Sequence, residues 1–297
     1  MLQLQDVEKP VPKNHEVLIR IHATTVTSSD CFVRSAVRFA PLAMQIMLRL
    51  VLGIARPRQP ILGLVLAGEI EETGKAVRRF RVGDPVYAFT KFHFGCYAQF
   101  TCVPETGIMA SAPSKLTYEE AAAIPYGGLL ALHFLRRGNI RSAQKVLIYG
   151  ASGAVGTSAV QLAKHFGAEV TAACGATNLQ LARSLGADTV IDYTREDALD
   201  GGKLYDLVFD AVGKRKTSIL KAACGKALAT GGKYVSVDGG TPRFAASDLT
   251  LLKELVEAGK LKPVIDRSYP LEKIVEAHRY VEQGHKKGNV IVVVRPA

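Results

Sequence analysis

Apolar and polar positions alternate along EVLIRIHATTV, residues 16–26, and runs of similar β-rich texture return in LVLAGEIEETG, DPVYAFT and CYAQFTCV, each bounded by turn residues. Successive strand side chains point to opposite faces, so this stretch, to about Pro104, predicts a mainly antiparallel β domain. The texture changes at Thr117, where TYEEAAAIPYGGLLALHFLRR offers a threonine cap, acidic residues in the first turn and a run of alanines. Beyond it, strand-like and helical runs alternate strictly: KVLIYG, GTSAVQLAKHFG, EVTAAC, NLQLARSLG, TVIDY, YDLVFDAVG, TSILKAACGKALATGG, KYVSV. That alternation predicts βαβ units around a parallel sheet, an α/β fold class. The tail reads as a helix SDLTLLKELVEAG stopped at Gly259, a strand KPVID, a helix LEKIVEAHRYVEQG and a strand NVIVVV able to complete either domain.

Length and composition narrow this picture. A chain of 297 residues exceeds the usual size of one core, so two domains are expected. The 38 basic residues exceed the 27 acidic ones by 11, which favours anionic ligands, although solubility explains the excess equally well. Five cysteines, odd in number and without CxxC spacing, point to reduced thiols and a cytoplasmic location. The start, MLQLQDVEKPVPKNHEV, alternates and carries charges, unlike a secretory leader. The apolar stretch at 41–58 is interrupted by Arg49 and falls short of the roughly 20 residues of a membrane span. With Arg38, Arg49, Arg56 and Arg58 around it, it is read as a helix packed over a cleft rather than one lying on a membrane.

In GASGAVG, three glycines follow a strand and open a helix, the context in which such a pattern binds a dinucleotide. Gly150 permits the tight strand exit, Gly153 lets backbone approach a pyrophosphate, and Gly156 lets the helix lie close on the sheet. The expected cofactor-binding turn is Gly150, Ser152, Gly153, Ala154, Val155 and Gly156, with free amides and the helix dipole facing the phosphates. An NAD site usually places an acidic residue some 20 positions on, at the end of the second strand. Here that place is AACGATN, and no Asp or Glu lies between Glu169 and Asp188. Cys174, Thr177 and Asn178 therefore stand at the ribose, and NADP is allowed. Arg183 and Arg195 are the basic residues nearest in sequence to serve its 2′-phosphate.

The matched pieces EVLIRIHATTV, LAGEIEETGKAVRRFRVGDPVYAF, FGCYAQF, EEAAAIPYGGLLALHFL, KVLIYGASGAVGTSAVQLAK, SLGADTVIDY, YDLVFDAVG and LEKIVEAHRYVEQG together resemble the zinc-independent quinone oxidoreductase branch of the medium-chain dehydrogenase/reductase family. The resemblance covers nearly the whole chain. It implies a GroES-like mainly-β catalytic domain over 1–117, a Rossmann-type doubly wound parallel sheet over 118–260, and a return to the catalytic domain over 261–297. It implies NADPH as cofactor and hydride transfer to a quinone, enone or similar small apolar acceptor. It also carries Tyr193 to the 2′-phosphate and adenosine end, Val212 and Ser236 to positions along the cofactor, and Asn289 to a position often held by lysine.

No metal site is expected. Where zinc-dependent relatives carry a cysteine the chain offers Thr27, and where they carry Gly-His-Glu it offers Leu64 and Val65. The remaining suspects, His93, Cys96 and Cys102, fall in a strand-like run and are read as structural. Without a Lewis acid the acceptor needs activation by conjugation, and Thr27 is the first candidate catalytic donor to the developing oxyanion. Thr27, Ser28 and Ser29 also read equally well as the cap of a helix beginning near Asp30.

Departures from the family pattern support a second reading, a nucleotide-binding protein with little or no turnover. Leu130 replaces a frequent threonine, and Thr177 stands where Arg or Lys is common. Only TPRFAA separates Gly240 from Ser247, where relatives insert a sixth Rossmann strand, so five strands and a monomer or atypical dimer are expected. The chain also starts about a strand and a turn later than relatives do, leaving a neighbouring strand without its expected partner. A third and weakest reading is a nucleic-acid-associating relative, suggested by the basic excess; against it, RRFR at 78–81 and KRK at 214–216 come without a recognition motif, so nucleic acid is not the expected partner.

Overall fold

The computed structural model describes residues 2–39, 60–195, 202, 204–213 and 219–294, and the chain divides into two compact units, residues 1–125 with 265–297 and residues 126–264. The stretch at 41–58 and the 214–216 basic cluster lie outside the described residues.

The first unit is built on β1 (Glu16–Val26), whose first half pairs antiparallel with β4 (Phe100–Pro104) and whose second half pairs with β12 (Asn289–Val293). Along its other edge lies β2 (Val65–Thr73), followed outward by β3 (Pro85–Phe89) and β5 (Met109–Ser111), while β11 (Ile265–Pro270) pairs parallel with β12. The tail strands thus complete this unit. The two-residue period is realised on one face of β1, where Val17, Ile19 and Ile21 enter a core with Leu66, Ile70, Val86 and Met109. A Cβ on Gly68 would come within 2.1 Å of the Arg20 carbonyl oxygen, so β1 and β2 approach closely where their register shifts.

Three helices belong to this unit among the described residues. α1 (Ser28–Phe39) leaves β1 after a single residue. α2 (Tyr118–Ala122) begins with a capping box, the Glu120 amide donating to the Thr117 hydroxyl (3.3 Å) and the Thr117 amide to the Glu120 carboxylate (3.0 Å), and it packs on β1 and β2. α8 (Ile274–Gln283), stopped by left-handed Gly284, brings Ile274, Ala277 and Val281 to Val26, Cys31, Val290 and Val292.

The second unit is a parallel sheet of five strands among the described residues, in the order β10 (Leu228–Ser236), β9 (Tyr205–Asp210), β6 (Lys145–Tyr149), β7 (Glu169–Cys174), β8 (Thr189–Asp192). The order reverses at β6, so the crevice of a doubly wound fold opens at the carboxyl ends of β6 and β9. The helices of this unit are α3 (Pro125–Arg137), α4 (Ala154–His165), α5 (Leu179–Ser184), α6 (Ile219–Lys226) and α7 (Ala246–Glu257). α4 is buried from Ala154 to Ala163, which explains its small residues: a Cβ on Gly127 of α3 would lie 2.2 Å from the Ala154 carbonyl oxygen.

Candidate functional site

At the switch point the glycine turn has the geometry its sequence implies. Gly150 is left-handed (φ +80°), and a Cβ there would lie 2.3 Å from the Val212 side chain, which brings the turn after β9 against the turn after β6. A Cβ on Gly156 would meet the Gly150 carbonyl oxygen at 2.1 Å, so the first turn of α4 rests on the strand exit. Gly153 is the N-cap of α4 and makes no side-chain cap, and a Cβ there would find only the Gly150 oxygen, at 3.7 Å. The approach to the first-turn amides of Ala154, Val155 and Gly156 is therefore open on the side a phosphate would use. Ser152 lies half-buried in the same turn.

The end of β7 supplies the adjacent group. Burial pushes the Cys174 thiol up to about 11, so it acts as a small neutral side chain. Thr177 is exposed in the short turn Ala176–Asn178, whereas the Asn178 Oδ1 atom is buried with no hydrogen-bond partner. Tyr193, whose amide donates to the Cys174 carbonyl (3.1 Å), brings its hydroxyl to 3.5 Å from where a Cβ of Gly175 would be. Arg183 and Arg195 are both exposed.

Asp192 was not legible in the sequence reading. No acidic residue follows β7, but the neighbouring strand β8 delivers the Asp192 carboxylate to the same corner, close enough to raise the Cys174 thiol and to accept from the Ala176 amide. The Thr194 amide (3.0 Å) and hydroxyl (2.8 Å) donate to it, holding it below the usual carboxylate range.

The turn after β9 is organised by Asp210, which the sequence also did not single out. This buried carboxylate accepts from the amides of Val212 and Gly213 (both 3.0 Å), from the Tyr234 hydroxyl (3.0 Å) and from Ser236 Oγ (3.3 Å), and it pairs with the Lys221 ammonium at 3.1 Å. Val212 and Ser236 are thereby brought together on one carboxylate. An Asp closing a strand just before Ala-Val-Gly was the available signal.

Thr27 and Asn289 lie in the first unit, apart from the other expected site residues, all of which lie in the second. Asn289 is buried at the start of β12. Thr27 caps α1: its hydroxyl oxygen accepts from the Asp30 amide (3.2 Å), and the Thr27 amide donates to Asp30 Oδ2 (2.8 Å). The Thr27 hydroxyl proton is itself donated to Asp30 Oδ2, at 2.6 Å. Asp30 is fully buried and its Oδ1 atom has no hydrogen-bond partner. Burial raises its carboxyl from 3.8 to about 6, against the bonds from Thr27 and from the Tyr97 hydroxyl, which favour the anion.

The zinc positions of relatives do not fit a metal here. Leu64 and Val65 are buried apolar residues entering β2, and among the described residues there is no group of three His, Cys, Asp or Glu side chains that could hold a metal ion. The three remaining suspects do not converge as a strand: His93 is exposed in a short turn, Cys96 is buried against the Thr90 hydroxyl (3.5 Å), and Cys102 lies in β4. Among the described residues no helix is long and apolar enough to cross a membrane.

Family models agree with this architecture part by part. The model for the alcohol dehydrogenase GroES-like domain matches residues 13–114, and two models for zinc-binding dehydrogenases match residues 154–259 and 240–292. A 2-methylene-furan-3-one reductase of Solanum lycopersicum is 34% identical, over 97% of this chain and 74% of its own length. The chain belongs to the medium-chain dehydrogenase/reductase family. Within that family, a chloroplastic NADPH-dependent alkenal/one oxidoreductase of Arabidopsis thaliana is 35% identical over 81% of this chain, which spans 65% of that relative. Among solved medium-chain structures, the quinone oxidoreductase of Coxiella burnetii superposes with a TM-score of 0.86 at 28% identity, covering 99% of this chain and 95% of that one.

Proposed function

We propose that this chain is a zinc-independent, NADPH-dependent oxidoreductase that reduces quinones or activated alkenes. The observation that carries the reading is the replacement of the metal-binding positions by Thr27, Leu64 and Val65, with the last two committed to the apolar interior, alongside an intact, open phosphate turn. The named activities of relatives that reduce alkenals, enones and quinones point the same way.

The turn residues Gly150, Ser152, Gly153, Ala154, Val155 and Gly156 hold the pyrophosphate through α4 amides and dipole. Cys174, Thr177, Asn178 and Tyr193 line the adenosine end, with Asn178 Oδ1 waiting for a hydroxyl donor. Asp210 sets the Val212 turn and Ser236 along the remainder. When bound, NADPH supplies a hydride. In the absence of a Lewis acid, the protein's part at the acceptor is to donate hydrogen bonds to the oxygen where charge develops, and Thr27 is the residue assigned to it.

Calorimetry with NADPH and NADH, followed by cofactor oxidation against a panel of quinones, enones and simple ketones with and without a strong chelator, tests this. Tighter binding of NADPH and chelator-insensitive turnover confined to conjugated acceptors is the expected result. Failure to bind NADPH at millimolar concentration refutes it. Binding without turnover favours the second reading, a non-catalytic nucleotide binder, to which the exposed neutral Thr177 and the apolar Leu130 of α3 lend support.

A further inference from the structure

The adenosine end of the nucleotide site lies within the second unit, at the carboxyl ends of β7 and β8. A dinucleotide fold sets the adenosine ribose beyond its second strand, where an acid accepts the ribose hydroxyls of NAD or a basic side chain grips the additional phosphate of NADP. Here the loop after β7 brings neither: Gly175 and Ala176 carry no polar side chain, and Thr177 is neutral and exposed. Charge reaches this corner from the next strand instead. β7 and β8 run parallel, with Ala173 opposite Ile191 and Cys174 opposite Asp192, so the two strands end side by side.

Asp192 is tied to both strand exits. Its Oδ1 atom accepts from the Thr194 amide (3.0 Å) and hydroxyl (2.8 Å), and the carboxylate also takes the Ala176 amide of the neighbouring loop. These donors are neutral, so they favour the anion without cancelling its charge. Arg195, whose amide donates to the Asp192 carbonyl (3.2 Å), is a cation that acts on the same carboxylate. Beside them, Tyr193 brings its hydroxyl over Gly175, and the Asn178 Oδ1 atom is buried with no hydrogen-bond partner. A carboxylate and an amide oxygen are acceptors, which suit the hydroxyls of a ribose and not the oxygens of a phosphate.

We propose that Asp192 is a specificity-determining residue whose charge, opposed by that of Arg195, disfavours a 2′-phosphate and narrows the preference of the site for NADPH over NADH. A 2′-phosphate carries about −1.5 to −2 charges at neutral pH and a 2′-hydroxyl carries none, so only the phosphate meets repulsion from Asp192 and attraction from Arg195. Discrimination between the two cofactors thus resides in the exit of β8, where the loop after β7 has lost the means to make it. This inference rests on the reading that the glycine turn holds a nicotinamide dinucleotide.

Calorimetry with 2′,5′-ADP and 5′-AMP, repeated with NADPH and NADH, tests it without turnover. Asp192→Asn keeps an oxygen for the Thr194 amide and hydroxyl while removing the charge, and is expected to raise the ratio of 2′,5′-ADP to 5′-AMP affinity about fivefold at low salt. That gain is expected to shrink at about 0.5 M salt, because the charge of a part-exposed group is screened. Arg195→Gln, at an exposed position beyond β8, is the second variant and is expected to lower the same ratio by a similar factor. An unchanged or lowered ratio in Asp192→Asn overturns the proposal, and so does an equal weakening of both probes, the outcome of a purely structural tie between β8 and the loop. A gain undiminished by salt marks a new contact from the Asn amide in place of a removed charge, and also overturns it. A ratio that Arg195→Gln leaves unchanged or raises overturns the opposing role of Arg195. Failure of the wild type to bind any of the four probes at millimolar concentration overturns the proposed function, and this inference with it.

Discussion

Replacing Asp210 by Asn keeps the shape of the side chain but removes its charge and turns one oxygen into a donor. Oδ1 would still receive the Val212 and Gly213 amides at 3.0 Å. The new NH2 group would face the Tyr234 and Ser236 hydroxyls, which can rotate to accept, and the Lys221 ammonium, which cannot. The pair is enclosed, the side chains of Asp210 and Lys221 being 2% and 17% exposed, so the lost attraction is little screened. Breaking one partner of a buried pair costs about 3–5 kcal/mol; since Lys221 keeps the Gly213 carbonyl as an acceptor, about 3 kcal/mol is expected. Tyr234→Phe removes one hydrogen bond to a charged group and is expected to cost about 2 kcal/mol. Equilibrium unfolding in denaturant measures both, and calorimetry should show NADPH binding about tenfold weaker in Asp210→Asn, because the Val212 turn and Ser236 lose their common anchor. A stability loss below about 1 kcal/mol for Asp210→Asn, or a larger loss for Tyr234→Phe than for Asp210→Asn, would refute the view that charge at Asp210 holds this turn.

Two further outcomes follow from the geometry. Gly156→Ala puts a methyl 2.1 Å from the Gly150 oxygen and 2.7 Å from the Ala151 Cα, backbone atoms that cannot rotate away, and should lower stability by about 1–3 kcal/mol while abolishing NADPH binding; unchanged thermal unfolding and affinity would contradict it. Asp30 has its folded carboxyl raised from 3.8 to about 6, so the native state holds the extra proton in that window, and stability relative to Asp30→Asn should decline by about 2 kcal/mol as pH rises from 4 to 7, read by denaturant titration at each pH. His278, with its imidazole lowered to about 4, slopes the other way, destabilising the fold as pH falls through 6.5 to 4, and it cancels from the comparison because both forms carry it.

What was legible in the sequence is what short stretches of chain dictate for themselves. The β-rich runs of β1 to β4, most of the alternation from Lys145 to Ser236 and the Thr117–Glu120 box are local periods and caps that became the elements expected, although the helical run TSILKAACGKALATGG ends at Lys226 and its last residues enter β10 from Leu228. The three glycines could be assigned separate tasks because a left-handed φ and the want of a Cβ are properties of the residue. The shortened segment after Gly240 fits the parallel sheet of five strands found among the described residues.

Tertiary structure decided the rest, because charge and burial depend on neighbours that sequence distance does not reveal. The tail strand NVIVVV suited either domain until its pairing with β1 placed it. In sequence no acid stands between Glu169, the first residue of β7, and Asp188, while parallel pairing set Cys174 beside Asp192 eighteen positions away. Asp30 reads in the sequence as an ordinary helix-start acid; only the packing around α1 removes its water and turns the Thr27 hydroxyl onto its carboxylate.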